Sequence, residues 1–318
     1  MRMLAALVAL MLGVAPSLGE SYPARSVRVV VGFAAGGPTD VIARIVAQKL
    51  SESLHQQFYV ENVGGAGGNL ASGQVARAAA DGYTIMAIST GFLVNPSLYA
   101  KVPYDAVKDF SAVTLVAASP NVLVVNPAVP AKTIPELVQL IKASPGKYSF
   151  AGPGVGSTPH LSGELFRLTF NLDLQHVPFT GASQAIQSTL GGHTPIAFTA
   201  LPPAMAAIKD GQLRALGVAA LHRVAALPDL PTFAEQGVNG QEADTLTGIV
   251  VPAGTPREIV DLLYREVAKA VAAPDVREKL SVLGFIPIAD TPDEFAARIT
   301  TEMAKWGRVV RDAKLRIE

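Results

Sequence analysis

The 318-residue sequence contains no cysteine. That excludes disulfides, thiolate metal sites, cysteine nucleophiles and a lipidated N-terminal cysteine. Nor is there an excess of charge of either sign, because 26 Lys and Arg balance 26 Asp and Glu. With no basic stripe, nucleic acid is not expected as a partner. Charge is missing altogether from Phe110 to Ala131 and from Leu174 to Ile208. Pro, Asn and Gly interrupt both stretches, so they read as buried strands and turns rather than membrane spans. The five histidines, His55, His160, His176, His193 and His222, never fall at an HxxxH spacing, so no metal is expected. There is also no GxSxG elbow, and His160 beside Ser157 reads as a structural histidine rather than a base. No catalytic residue and no cofactor are assigned.

What is present starts with a targeting pattern. Met1-Arg2-Met3 forms a short basic region, Leu4 to Ala15 an apolar core, and Ser17-Leu18-Gly19 offers small residues at a signal-peptidase site. Residues 1–19 are therefore expected to be a cleaved signal peptide, with a mature chain from Glu20 in the periplasm. With 49% hydrophobic residues, the remainder is ample for two packed domains.

Val27 to Arg44, VRVVVGFAAGGPTDVIAR, organises the chain. The β-branched run Val27 to Val31 predicts a strand buried on both faces. The glycine turn Phe33 to Asp40 then leads into a helix that Thr39 or Asp40 can cap. Strand, glycine turn and helix together present free N–H groups and the positive helix end, which suits a small anion. Asp40 reads as a first-turn acid held by backbone N–H groups rather than a general base.

The pattern returns at Gly152 to Pro159, where Ser157 or Thr158 can cap, and again at Pro178 to Ser183 around Thr180, Gly181 and Ala182. The strand Thr84 to Ser89 feeds a predicted loop from Ser89 to Pro96. There Ser89 and Phe92 are either a binding rim or a turn with a core phenylalanine. Gly64 to Gly68 lacks the Lys-Ser/Thr pair of a P-loop and does not fit GxGxxG. Strands and helices alternate throughout, so the class is α/β with largely parallel sheets. Two strands are expected within Phe110 to Val125, and further strands over Thr245 to Val251 and near Phe285 to Ile288. Ligands in such folds sit beyond the carboxyl ends of the strands, where the glycine turns fall. Two such clusters in separate segments suggest two lobes facing one cleft. Residues 33–40, 62–73, 89–96, 152–160 and 178–185 contain no Lys or Arg. An anion there is held by N–H groups, hydroxyls and water.

Nine segments carry a family resemblance: YPARSVRVVVGFAAGGPTDVIAR, VENVGGAGGN, DGYTIMAISTG, NPSLY, GPGVGSTPHLSGELF, HVPFTGASQA, GQLRALGV, LPDLPTFAEQG and PAGTP. In these, over essentially the whole mature chain, the sequence resembles the extracytoplasmic solute receptors of the tripartite tricarboxylate transporter family, the Bug receptors. The resemblance implies a two-lobe type II periplasmic-binding-protein fold, a Venus flytrap with hinge strands between lobes. It also implies capture of a small carboxylate for a membrane transporter; the chain is expected to be a monomer. Carried over by position, the binding loops are Phe33 to Asp40, with Gly36, Gly37 and Thr39, then Gly154 to Thr158, with Gly156, and Thr180 to Ala182. The lobes are expected at 20–123 with 240–318, and at 124–239. One departure stands out. The family usually has Trp two residues before the glycine preceding PAGTP, and this chain has Leu246 before Gly248. A receptor that signals to a membrane sensor, or an exported α/β hydrolase, are the alternative readings.

Overall fold

The structure is a computed structural model in which residues 22–317 are described. The expected signal peptide and its cleavage site lie outside those residues.

The first half opens with β1 (Val27–Val31), α1 (Pro38–Leu54), β2 (Phe58–Asn62), α2 (Asn69–Ala76), β3 (Thr84–Ser89) and α3 (Thr90–Leu98). There follow β4 (Phe110–Val125), α4 (Ile134–Lys142), β5 (Ser149–Pro153), α5 (Thr158–Phe170), β6 (Gln175–Phe179), α6 (Ala182–Leu190), β7 (Ile196–Ala200), α7 (Leu201–Lys209) and β8 (Arg214–Val218). The chain ends with β9 (Asp244–Pro252), α8 (Arg257–Ala272), α9 (Pro274–Val282), β10 (Ile286–Pro287) and α10 (Pro292–Asp312).

β1 pairs in parallel with β2 and β3, and β5 in parallel with β6 and β7. The sheets are more mixed than the sequence suggested. β9 runs antiparallel to β3 and to β4, and β4 runs antiparallel to β7, β8 and β10. These antiparallel strands join the two parallel groups into one strand path.

Two strands were expected within Phe110 to Val125, but β4 is continuous. Its register runs against β9 from Phe110 to Pro120, then against β7 from Asn121 to Val125. Pro120 supplies no N–H, and it stands where the strand exchanges partners, so the ladder continues beyond it.

The predicted loop after Ser89 is instead α3. Ser89 caps it, its Oγ accepting from the Gly91 N–H at 3.2 Å. Pro96 inside the helix leaves the carbonyl of Phe92 without its helical donor, and the Tyr104 hydroxyl donates to that carbonyl at 2.8 Å. Sequence reading also passed over α7, whose Pro202 and Pro203 occupy the first turn, where no N–H is needed.

Apolar packing follows the two groups. Ile42, Leu50, Ile85, Ile249 and Leu263 share one cluster, and Leu123, Ile134, Phe150, Phe166 and Phe198 another. α10 reaches both sides: Phe295 and Ile299 pack with Phe92 and Leu246, while Trp306, Val309 and Val310 pack with Leu123 and Phe166.

Candidate functional site

Five helices begin on one cavity of about 720 Å³. Its wall includes the first turns of α1, α3, α5 and α6, together with Ala200 and Pro203 at the start of α7. The starts of α1 and α3 come from the β1 group and those of α5, α6 and α7 from the β5 group, so the cavity lies between them. A groove of about 910 Å³ between α5 and α10 is larger. It is lined by Gly240 and by middle and later turns of α5 and α10, Lys305 and Arg308 among them, and no helix begins on it. The cleft, where helix starts and their free N–H groups converge, is the better candidate site.

Every candidate from the sequence except Phe92 lines this cleft: Phe33, Gly36, Gly37, Thr39, Asp40, Ser89, Gly156, Ser157, Thr158, Thr180, Gly181 and Ala182. Phe92 is the correction. It is 3% exposed and stacked on Tyr104, with ring centroids 4.9 Å apart, inside a core cluster. The sequence could not separate a rim aromatic from a core one, because the helix that turns Phe92 inward was itself unread.

On the first rim the cap of α1 is Gly37, with Pro38 as first helical residue, rather than Thr39 or Asp40. Asp40, 2% exposed, binds its own loop. Its carboxylate accepts from the Gly36 N–H at 2.8 Å, Arg44 Nε at 2.9 Å and Asn62 Nδ2 at 2.9 Å. Burial alone would raise its pKa; the bonds from Arg44, Gly36 and Asn62 outweigh it and hold the carboxyl below its usual range. Asn62 also donates to the Phe33 carbonyl at 2.9 Å, fastening the loop to the end of β2.

On the second rim Ser157 caps α5, accepting from the His160 N–H at 3.4 Å, and donates to the Pro153 carbonyl at 3.3 Å. The Gly156 N–H donates to His160 Nδ1 at 3.1 Å. Burial first, then neighbouring His176 and Arg167, push His160 down to about 3, so it is neutral. Its ring lies 4.1 Å from that of His176, which burial lowers to about 4. Thr180 is exposed and caps nothing; Gly181 is the cap of α6.

Among the described residues the cleft wall holds no Lys, Arg or His, and Asp40 is its one ionisable residue. Sequence reading missed Gly67, Asn95, Pro203 and Thr245 in the wall. Asn95 Nδ2 donates to the Gly67 carbonyl at 2.9 Å and to Asn69 at 2.8 Å, tying the glycine-rich turn to α3. Arg44, four residues after Asp40, was a legible partner for it; Asn62 was not, being distant in sequence. Leu246 is 6% exposed beside Val250 and Phe295, away from the cleft wall.

Comparison with known proteins bears on this geometry. The model of the family described as tripartite tricarboxylate transporter family receptor matches residues 42–315. The chain is similar to protein BugT of Bordetella pertussis, 34% identical over 306 residues, covering 96% of this chain and 94% of BugT. Among solved structures it is similar to a Rhodopseudomonas palustris protein with adipate, at 32% identity and TM-score 0.86 over 93% of this chain and all (100%) of that one. It is also similar to MatC of the same organism with bound malate, at 33% identity and TM-score 0.82 over 91% of this chain and 100% of MatC.

Proposed function

Since the chain belongs to the tripartite tricarboxylate transporter receptor family, we propose that it is a periplasmic solute-binding receptor that takes up a small carboxylate in the cleft and delivers it to a membrane transporter. It acts as a monomer with lobes at 20–123 plus 240–318 and at 124–239, closing on the ligand. One observation carries the reading: five helix N-termini converge on a cavity whose wall has no cation. Free N–H groups and positive helix ends favour an anion there. The adipate and malate held by two similar proteins support a carboxylate.

The rims divide the task. Asp40 already uses the positive end of α1, so an incoming carboxylate is better met by α5 and α6. Ser157, Thr158, Thr180 and the adjoining N–H groups hold it, while Phe33 to Asp40 and Ser89 contact the ligand from the other side. Binding rather than catalysis fits the two strongest candidate bases. Asp40 is fully engaged by its loop, and the imidazole Nδ1 of His160 is taken by Gly156.

A thermal-shift screen of mono-, di- and tricarboxylates on the mature protein tests the reading. A ligand at 100 times its Kd adds about 2.7 kcal/mol of stability. Failure of every carboxylate to raise the melting temperature overturns it.

A further inference from the structure

The five helix starts on the cleft are unequal as donors. Proline has no N–H, and it takes first-turn positions in three of them: Pro38 in α1, Pro159 in α5, and Pro202 with Pro203 in α7. The start of α1 also carries the Asp40 carboxylate, and Ser157 takes the His160 N–H of α5. In α3 the Gly91 N–H goes to Ser89 Oγ. α6 differs from these four. Its cap is Gly181, and its first turn, Ala182-Ser183-Gln184, contains no proline and no acid. The donors that can meet an anion are therefore concentrated at α6, with Thr158 and Thr180 on the same rim.

The opposite rim presents an uncharged surface. The Phe33 ring lies over Gly68 and Gly91, so close that a Cβ added at either would sit 3.6 Å from it. Two positions without side chains thus make room for the ring, which covers the start of α3 and stays 37% exposed on the cleft wall. Pro38, Pro153, Ala200 and Pro203 extend the apolar wall. Its one acid, Asp40, is held by Gly36, Arg44 and Asn62. At about 720 Å³ the cleft falls within the ~300–1,000 Å³ of pockets that take drug-sized ligands, so it has space for a body well beyond one carboxylate.

Resting on the receptor reading above, we propose that the cleft selects a monocarboxylate with an uncharged, apolar body: the carboxylate sits at the start of α6 and the body lies on Phe33. A second carboxylate carried to the Phe33 rim exchanges water for a wall without a cation and a helix start already matched by Asp40. Its lost hydration is not replaced. An ammonium group fares no better, since the one acid in the wall is already engaged by Arg44. Adipate and malate, held by two similar proteins, each carry two carboxylates; the ligand of this chain carries one.

Calorimetry on the mature protein at neutral pH, where both carboxylates of a diacid are ionised, compares matched probes. Adipate is set against its monomethyl ester and hexanoate, and terephthalate against its monomethyl ester and benzoate. 6-Aminohexanoate supplies the ammonium case, and any hit of the carboxylate screen joins the series with its singly charged analogue. Each singly charged probe should bind at least about tenfold tighter than its doubly charged counterpart, the effect of enclosing one charged group without a partner. A diacid that binds as tightly as its monoester overturns the proposal and leaves the receptor reading standing. Binding by no carboxylate at all overturns both.

Two variants test the two ends of the ligand. Ala182→Pro removes one α6 N–H at a helix position that suits proline, after Gly181, whose backbone is extended at φ −167° and ψ 172°. It should weaken the tightest singly charged probe about tenfold and leave the melting temperature of the empty protein unchanged. Phe33→Lys places a cation on the opposite rim and should reverse the order, so that the diacid binds better than its monoester. Wild-type affinity in the first variant, or an unchanged order in the second, overturns the placement. A reversed order is a result that partial unfolding cannot produce.

Discussion

On the first rim of the cleft Gly36, at φ +83°, donates its N–H to the Asp40 carboxylate; on the second Gly156, at φ +85°, donates its N–H to the His160 imidazole. Each bond spans four residues, and each acceptor is the third residue of the helix that follows. The backbone plan is shared while the closing group differs. Asp40 is a carboxylate tied to Arg44 and Asn62, whereas His160 is uncharged and packed against His176 and Phe150. A carboxylate at the start of a helix occupies the positive dipole end itself. A neutral imidazole does not. One loop plan thus yields one rim that is already neutralised and one that is still free to attract an anion.

Acid should separate the rims most strongly. Folding keeps His160 unprotonated to about 3, while the unfolded chain takes up that proton near pH ~6.5. Unfolding therefore binds a proton across this window, and stability falls on acidification, by about 3 kcal/mol at pH 4 from His160 alone. Asp40 behaves otherwise. Its depressed pKa contributes stability that is present above the ordinary carboxylate range and lost only as pH falls through the folded value. Denaturant unfolding between pH 7 and pH 4, with the Gly36 and Gly156 amide resonances followed in parallel, checks both. Gly156 should respond first, and a flat stability profile contradicts the buried neutral histidine.

Alanine at the paired glycines breaks the symmetry next. At Gly36 a Cβ meets open space, so only the left-handed backbone is penalised, by about 1 kcal/mol. At Gly156 the same penalty is joined by overlap with Leu98 Cδ2 at the buried end of α3. Overpacking adds about 1–3 kcal/mol, so Gly156→Ala should lose about 2–4 kcal/mol in urea unfolding. Equal losses at the two positions would mean that α3 does not brace the second rim.

The pattern of strand, glycine turn and helix start was legible because its residues are contiguous: β1 with α1, and β5 with α5, are local units with local signals. From them came the cleft and nearly all its lining candidates. What stayed hidden depends on residues distant in sequence. Asn62 fastens Asp40 from 22 positions away, and Tyr104 satisfies the carbonyl that Pro96 frees in α3. Without that bond a proline beside Asn95 reads as a loop, and Phe92 reads as a rim residue. The antiparallel course of β4 and β9 was hidden for the same reason. A run of apolar residues states burial but not the direction of its neighbours.

Asp40→Asn tests the charge on the first rim while keeping its shape. Hydrogen bonds to a charged group are worth about 1.5–3 kcal/mol against about 0.5–1.5 for neutral ones, so a loss of about 1–2 kcal/mol is expected at pH 7. The variant should also lack the first rim's acid transition while keeping that of the second. Thermal unfolding at pH 7 and pH 3 reads both effects. A variant as stable as the wild type would mean that Arg44 and Asn62 hold the loop without the carboxylate.

The smallest effect on stability, and the most informative for the site, is expected within the second rim. Ser157 serves the fold, as cap of α5 through the His160 N–H and as donor to Pro153. Ser157→Ala should therefore lose about 1 kcal/mol from the empty protein as well as weakening the hold on the ligand. The Thr180 side chain is exposed at the mouth of α6 with no capping role, so Thr180→Val should leave the melting temperature of the empty protein unchanged. If Thr180 donates to a ligand carboxylate, the loss is confined to binding: about 1.5–3 kcal/mol, or roughly 10- to 150-fold in Kd. Calorimetry with the best carboxylate from the thermal screen, beside melting of the empty variants, separates the two residues. Wild-type affinity in Thr180→Val would move the carboxylate off α6 and leave it with α5 alone.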